Sequence, residues 1–166
     1  TLLERLDATE IEAVLAHELG HFRHRHILRR IAVSFALSAA GLWLLAWVSR
    51  QPWFYQGLGL TPEPGMLEPA ALVLFFIALP VFTFPLGPLM SLMSRRDEFQ
   101  ADAFAASHAD GNALVAALVK LYQDNASTLT PDPVHSIFYD SHPPAAVRIG
   151  RLRALSSTSA MEASPS

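Results

Sequence analysis

Residues 17 to 21 read His-Glu-Leu-Gly-His, a spacing that can hold a metal ion. Residues four apart share one face of an α-helix, so the imidazoles of His17 and His21 can reach the same ion. Glu18 lies beside this pair and can hold and deprotonate a water molecule on the ion. Zn²⁺ is the usual ion in such an arrangement. The pattern predicts metallopeptidase chemistry with one Zn²⁺ per chain.

A catalytic zinc site needs a third protein ligand, and the sequence offers two candidates. His24 is the nearer one, but it follows His21 by only three residues, and the helix would have to bend around the metal. The extended metzincin pattern fails, because it needs Gly at position 24 and His at position 27. Glu98 and Asp102, four apart, form the second candidate, in which Glu98 ligates zinc and Asp102 accepts a hydrogen bond from a ligand imidazole. We favour this pair, although alone it would suit an ordinary solvated helix face.

A third group of polar residues lies near the end of the chain. His142 precedes two prolines in a loop, and Arg148 follows within a short helix. Peptide hydrolysis passes through a tetrahedral intermediate whose oxyanion needs hydrogen-bond donors, which these two side chains can supply. Read alone, a histidine in a proline-rich loop is more often structural. We predict that both residues take part in catalysis.

Two apolar blocks separate the first motif from the second. Residues 31–48 and 69–94 contain no charged side chain, and 18 to 20 helical residues cross the roughly 30 Å of a bilayer core. Arginines at 29, 30, 95 and 96 flank the pair, whereas Arg50 alone lies between the blocks, so the outer ends are expected to face the cytoplasm. The blocks therefore predict a transmembrane hairpin that returns the two motif helices to one membrane face. The alternative is a soluble protein with two buried helices, which would be extracted without detergent.

Composition excludes several other classes. The chain has 166 residues, no cysteine, 51% hydrophobic and 16% charged residues and a net charge of −3. Disorder, a disulfide scaffold, a cysteine nucleophile and electrostatic capture of nucleic acid are therefore excluded. Thr9 and Glu12 read as a capping box at the start of the first motif helix. We predict one peptidase domain over 1–155, preceded by an upstream part, and divided as follows: motif helix about 9–26, span about 28–49, loop 50–68, span about 69–94, motif helix 95–108, C-terminal helices 112–155 and disordered tail 156–166.

In combination, the motifs resemble the integral-membrane CAAX prenyl protease family (type I), zinc endopeptidases related to the HtpX membrane proteases. The resemblance rests on His-Glu-Leu-Gly-His, two apolar spans, Ser-Arg-Arg-x-Glu-Phe-Gln-Ala-Asp-Ala-Phe-Ala and Ser-His-Pro-Pro in this order. It extends from about residue 6 to 155 and implies a mainly α, helical membrane protein with a zincin-like (gluzincin) site. The resemblance implies that His17, His21 and Glu98 are the zinc ligands and that Glu18 is the base. It also implies that Asp102 lies beside the ligands and that His142 and Arg148 bind the substrate or the transition state.

The sequence thus predicts a membrane-embedded zinc metalloendopeptidase that acts on a peptide or protein, including one with a lipidated or membrane-bound segment. Eleven arginines against one lysine suggest a bacterial gene, so we expect the bacterial inner membrane, with the catalytic face cytoplasmic. Two other functions remain open. One is a non-catalytic membrane module with a closed four-ligand zinc shell. The other is HtpX-like quality control of membrane proteins.

Overall fold

The computed structural model describes residues 5–61, 67–124 and 142–162, and these residues form helices and short connections with no strand among them. The predicted mainly α class is confirmed. The helices in chain order are α1 Ala8–Arg23, α2 His26–Val48, α3 Pro52–Gly57, α4 Leu67–Thr83, α5 Leu86–His108, α6 Gly111–Asp124 and α7 Ala145–Glu162.

The chain divides into two compact units. One consists of residues 1–27 and 87–166 and holds α1, nearly all of α5, α6 and α7. The other consists of residues 28–86 and holds most of α2 together with α3 and α4. All of the predicted site residues belong to the first unit.

Helix α1 begins with a capping box, but not the predicted one. Asp7 is the N-cap and accepts a hydrogen bond from the Glu10 amide (2.8 Å), while the Glu10 carboxylate accepts one from the Asp7 amide (2.9 Å). Thr9, the expected cap, donates its hydroxyl to Asp7 Oδ1 instead (2.7 Å). The prediction was two residues late because Asp caps at least as well as Thr, and because the buried Glu10 also binds Lys120 Nζ at 2.6 Å.

Helix α1 also ends earlier than predicted. It stops at Arg23, His24 forms its C-cap, and Arg25 adopts a left-handed conformation with φ 55°. A non-glycine residue rarely adopts this conformation, so the helix cannot continue through it. His26 therefore opens α2 instead of closing α1.

The core of the first unit is built on small side chains of α1 and α5. Ala13 and Ala16 of α1 and Ala105 of α5 are buried and let the helix backbones approach closely. An apolar face of α6 packs here, and Leu152 of α7 completes the cluster: Leu114, Val115 and Leu118 are buried, and Tyr122 packs against them.

The second unit holds the first apolar block and the second block as far as residue 86. Among the described residues, α2 is the one helix that has the length and hydropathy of a membrane span by itself, whereas α4 and α5 have them only as a pair that is broken near residues 84 and 85. Large side chains of α2 such as Phe35 and Trp43 are exposed. Within the predicted loop 50–68, Pro52 begins the short helix α3, whose Tyr55 hydroxyl donates to the Ser49 carbonyl (2.7 Å).

Helix boundaries differ from the prediction in two further places. The second motif helix was expected to begin at residue 95, but α5 begins at Leu86. The last helix was expected to end at residue 155, with a disordered tail from 156, but α7 runs to Glu162. Ser156 Oγ donates to the Leu152 carbonyl (3.0 Å) and so supports this added turn. Residues 163–166 of the predicted tail lie outside the described residues.

Candidate metal centre

Helices α1 and α5 are in close contact at Gly20. A Cβ at this position would lie 2.9 Å from Ala101 Cα and 3.1 Å from Phe104 Cβ, so only glycine fits there without a shift. Glycine costs about 1 kcal/mol relative to alanine inside a helix. The close approach explains why that cost is tolerated, since it brings the His-Glu-Leu-Gly-His face of α1 against the carboxylates of α5.

Three side chains converge where the helices meet. His17 Nε2 lies 3.2 Å from His21 Nε2. These nitrogens lie 3.7 Å from Glu98 Oε2 and Oε1 respectively. Tetrahedral zinc with ligand bonds of 2.0–2.2 Å requires its ligand atoms to be about 3.4 Å apart, so two nitrogens and one carboxylate oxygen are placed as this ion needs. The donor set His17, His21 and Glu98 therefore fits Zn²⁺.

His24, the alternative third ligand, is not part of this group. It is exposed at the C-cap of α1, and its ring stacks against that of His26. Glu98, by contrast, is buried between the two motif imidazoles and Arg148. The geometry favours the carboxylate that the sequence favoured.

Asp102 lies behind the metal group and is bound by Arg148. Arg148 donates from Nε to Asp102 Oδ2 (2.9 Å) and from Nη2 to Oδ1 (2.6 Å), while its Nη1 lies 3.1 Å from Glu98 Oε2. The arginine is itself only 6% exposed. Burial raises the pKa of Asp102, but the adjacent His17 and the hydrogen bonds from Arg148 outweigh it and hold that pKa below its ordinary value. Arg148 thus favours the ionised forms of Asp102 and Glu98.

His17 has the Asp102 carboxylate behind it. Its Nδ1 lies 3.0 Å from Asp102 Oδ1, although the N–H direction is poorly aligned with that oxygen. A carboxylate in this position fixes the tautomer in which Nε2 is free for a metal. The structure brings Asp102 into contact with a ligand imidazole, and the hydrogen bond between them stays a prediction.

His142 contacts the third ligand. Its Nδ1 lies 3.0 Å from Glu98 Oε1, and its side chain is 60% exposed. Burial raises the pKa of Glu98, but the hydrogen bond from His142 and the charge of Arg148 outweigh it and lower that pKa overall. Burial and the neighbouring His17 lower the pKa of His21. Both shifts favour the ligating forms, an ionised Glu98 and a neutral His21.

Glu18 projects from α1 beside this group and is exposed, whereas His17 next to it is buried. The charge of Glu18 acts on His21, and its role as the general base stays a prediction.

His26 was not among the predicted site residues, yet it is 1% exposed and contacts His21. Its Nδ1 lies 2.9 Å from His21 Nδ1, and its Nε2 lies 3.0 Å from Gln100 Oε1 and 3.9 Å from Asp97 Oδ1. Five residues after His21, it would point away from the metal face of a continuous helix. Only the left-handed break at Arg25 brings it back, and a run of nearby histidines was its sole signal in the sequence.

An all-helical unit with His-Glu-Leu-Gly-His on one helix and a ligating glutamate on a second defines the class of helical metallopeptidases with a zincin-like site. Comparison with known proteins agrees: the family model "Peptidase family M48" matches residues 1–156. The chain belongs to this family, whose members are zinc-dependent metallopeptidases.

Within this family, the chain is similar to several named proteins. The chain is 34% identical to CAAX prenyl protease 1 of Saccharomyces cerevisiae, over 92% of this chain and 36% of that protein. It is 32% identical to the Homo sapiens CAAX prenyl protease 1 homolog, over 88% and 30% respectively. The crystal structure of S. mikatae Ste24p matches with a TM-score of 0.73 and 31% identity, over 86% of this chain and 36% of that one. The chain therefore spans about a third of the length of the relatives it matches.

Proposed function

We propose that the protein is a membrane-embedded zinc metalloendopeptidase whose peptidase domain covers residues 1–155. The observation that carries the proposal is the convergence of His17, His21 and Glu98 within 4.8 Å of one another. Three protein ligands leave one tetrahedral position free, which is the mark of a catalytic site and not of a closed structural one. One Zn²⁺ per chain would be held there.

Each side chain around the ligands has a task in peptide hydrolysis. Glu18 accepts the proton of the attacking water and returns it to the leaving amine. His142 is exposed and within reach of Glu98, so it can turn to donate a hydrogen bond to the developing oxyanion. When bound, zinc would lower the pKa of water towards about 7 and polarise the scissile carbonyl.

Arg148 acts from behind the ligands. Because it is buried and paired with Asp102 and Glu98, we assign it the task of fixing the two carboxylates. The family resemblance had implied contact with substrate or transition state. Its burial supports the positioning role better.

The substrate is a peptide or protein, and the names of the relatives support one with a prenylated C-terminal segment. The exposed apolar surface of α2 supports a bilayer location, with the arginine-flanked ends on the cytoplasmic side. In a bacterial cell this would be the inner membrane. Cleavage of a farnesylated peptide, compared with that of an unstructured membrane protein, separates CAAX-type processing from HtpX-like quality control.

Replacement of the base tests the mechanism. Glu18→Gln keeps the size of the side chain but cannot accept a proton, so we expect zinc to bind at one ion per chain while peptide cleavage falls about 10²- to 10⁴-fold. Glu12→Gln, an exposed position one and a half turns earlier on α1, is the matched control and should keep wild-type turnover. Cleavage should also stop with a chelator and return with added zinc. Undiminished turnover of Glu18→Gln would refute the proposed role of this glutamate.

A non-catalytic module predicts a closed shell in which a fourth protein group occupies the remaining position. Metal analysis combined with X-ray absorption at the zinc edge would count the protein ligands. Four protein ligands and no chelator-sensitive cleavage would replace the enzyme by that alternative.

A further inference from the structure

We propose that His26 is a positioning residue for the metal centre. It accepts a hydrogen bond from His21 and donates one to Gln100, and these two bonds orient His21 so that its Nε2 faces the metal. This inference rests on the metal site proposed above. It concerns a histidine that lies outside the His-Glu-Leu-Gly-His segment and is not one of the three proposed ligands.

With His21 as a metal ligand, the distances assign the protons along the series from His21 to Gln100. His21 faces the metal group with Nε2, which lies 3.2 Å from His17 Nε2, so a metal-ligating His21 carries its proton on Nδ1. That nitrogen lies 2.9 Å from His26 Nδ1, which must then be the acceptor and carry no proton. His26 therefore bears its proton on Nε2, which lies 3.0 Å from Gln100 Oε1, an acceptor. One arrangement satisfies all three contacts.

Burial makes this arrangement exclusive. His26 is 1% exposed, so water cannot replace either partner at its ring. If His26 carried its proton on Nδ1, two N–H groups would face each other at 2.9 Å, and a buried, unpaired donor costs free energy. Asp97 Oδ1 at 3.9 Å from Nε2 adds a negative group on the side where the proton is placed.

The two histidine ligands thus have different partners. His17 has the carboxylate of Asp102 behind it, whereas His21 has a second imidazole backed by an amide. A group that hydrogen-bonds the outer nitrogen of a ligating histidine typically changes metal affinity about 10- to 100-fold when it is removed. We therefore expect His26 to influence zinc affinity strongly without contact to the ion.

Two variants of similar size distinguish an effect of the hydrogen bond to His21 from an effect of the volume of the His26 side chain. In His26→Asn the amide oxygen can occupy the place of Nδ1, so the acceptor for His21 is kept. In His26→Gln the amide reaches the place of Nε2, so the contact with Gln100 is kept and the acceptor for His21 is lost. Zinc affinity of the detergent-purified protein is measured by competition with a chelator, and Co²⁺-loaded protein reports the ligand geometry through its visible spectrum.

We expect His26→Asn to bind zinc within about threefold of wild type, and His26→Gln to bind about 10- to 100-fold more weakly with an altered Co²⁺ spectrum. His108→Gln, a change to an exposed histidine at the end of α5, should bind as wild type. Equal losses in the Asn and Gln variants, or wild-type affinity in His26→Gln, would overturn the proposal. Because wild type is measured alongside, failure of the zinc site itself appears as no binding by wild type and is distinct from failure of this inference.

A variant at the far end of the series leaves His26 unchanged, so its result does not depend on whether His26 variants fold. Gln100→Leu removes the acceptor for His26 Nε2 at an exposed position, and we expect zinc affinity to fall several-fold. In the His26→Asn background, which no longer offers an Nε2 proton, the same change should have no further effect. Unchanged zinc affinity in Gln100→Leu, or full additivity of the two changes, would contradict a relay through His26.

Discussion

Gly20 on α1 and Ala101 on α5 lie so close that a Cβ on the glycine would be 2.9 Å from the alanine Cα. This contact is one residue before His21 and lies between Glu98 and Asp102 in the sequence of α5. The separation of the two motif helices therefore sets the separation of the nitrogen and oxygen ligands. The glycine of the motif serves the metal site through packing and not through backbone conformation, since it lies in regular helix.

Gly20→Ala should weaken both stability and metal binding. The added methyl group meets backbone atoms, which cannot move aside as a flexible side chain would, so the helices must separate. We expect the free energy of unfolding to fall by about 1–3 kcal/mol, despite the better helix propensity of alanine. Zinc affinity, measured by chelator competition, should fall because His21 moves away from Glu98.

Gly150→Ala is the matched control, because a Cβ at this position of α7 meets nothing within 4 Å. It should raise the free energy of unfolding by up to about 1 kcal/mol through helix propensity alone. If the two alanine variants behaved alike, the close approach at Gly20 would have no energetic consequence.

Arg148→Lys should damage the site although it keeps the positive charge. Lysine has a single nitrogen and cannot reproduce the two hydrogen bonds to Asp102 and the contact with Glu98. Complete removal of one partner of a buried ion pair costs about 3–5 kcal/mol of stability. We expect a smaller loss of stability here, because lysine keeps the positive charge. Thermal unfolding of metal-free protein measures it, and Arg153→Lys at an exposed position of α7 is the control. Equal melting temperatures would refute the positioning role.

Acid should destabilise the metal-free protein through Asp102. Burial raises the pKa of Asp102, but His17 and Arg148 lower it by a larger amount. The folded-state pKa therefore lies below that of the unfolded chain. Such a group stabilises the fold above its unfolded pKa, and this contribution is lost as pH falls through the folded pKa. We expect the free energy of unfolding to decline from about pH 4 downward, and Asp102→Asn to decline less steeply. Parallel curves from pH 7 to pH 3 for the two proteins would contradict this assignment.

Lys120, the one lysine of the chain, should stabilise the start of α1. Its Nζ lies 2.6 Å from Glu10 Oε2 and 3.2 Å from the Arg5 carbonyl, and Glu10 is buried. Lys120→Met leaves this carboxylate without its cation, so we expect the free energy of unfolding to fall by about 1–3 kcal/mol. Denaturant titration measures the loss. It should shrink when Glu10→Gln is also present, and a loss of the same size in that background would show that the ion pair is not its cause.

Local patterns in the sequence were sufficient for the helices and for most of the candidate site. The four-residue spacings of His17 with His21 and of Glu98 with Asp102 predict shared helix faces, since helical periodicity is a local property. Helix ends were predicted less well. Asp7 replaced Thr9 as the cap because Glu10 also binds Lys120, about 110 residues away. Helix α7 extends beyond its predicted end at residue 155.

The sequence by itself determined which functional groups each helix carries: two imidazoles and a base on one helix, the carboxylates of Glu98 and Asp102 on another, and apolar blocks between them. Tertiary structure decided which groups meet and in what state. It selected Glu98 over His24, buried Arg148 against two carboxylates, and used the left-handed turn at Arg25 to place His26 behind His21. These outcomes depend on contacts between residues far apart in the chain or across a helix break, where no local period applies.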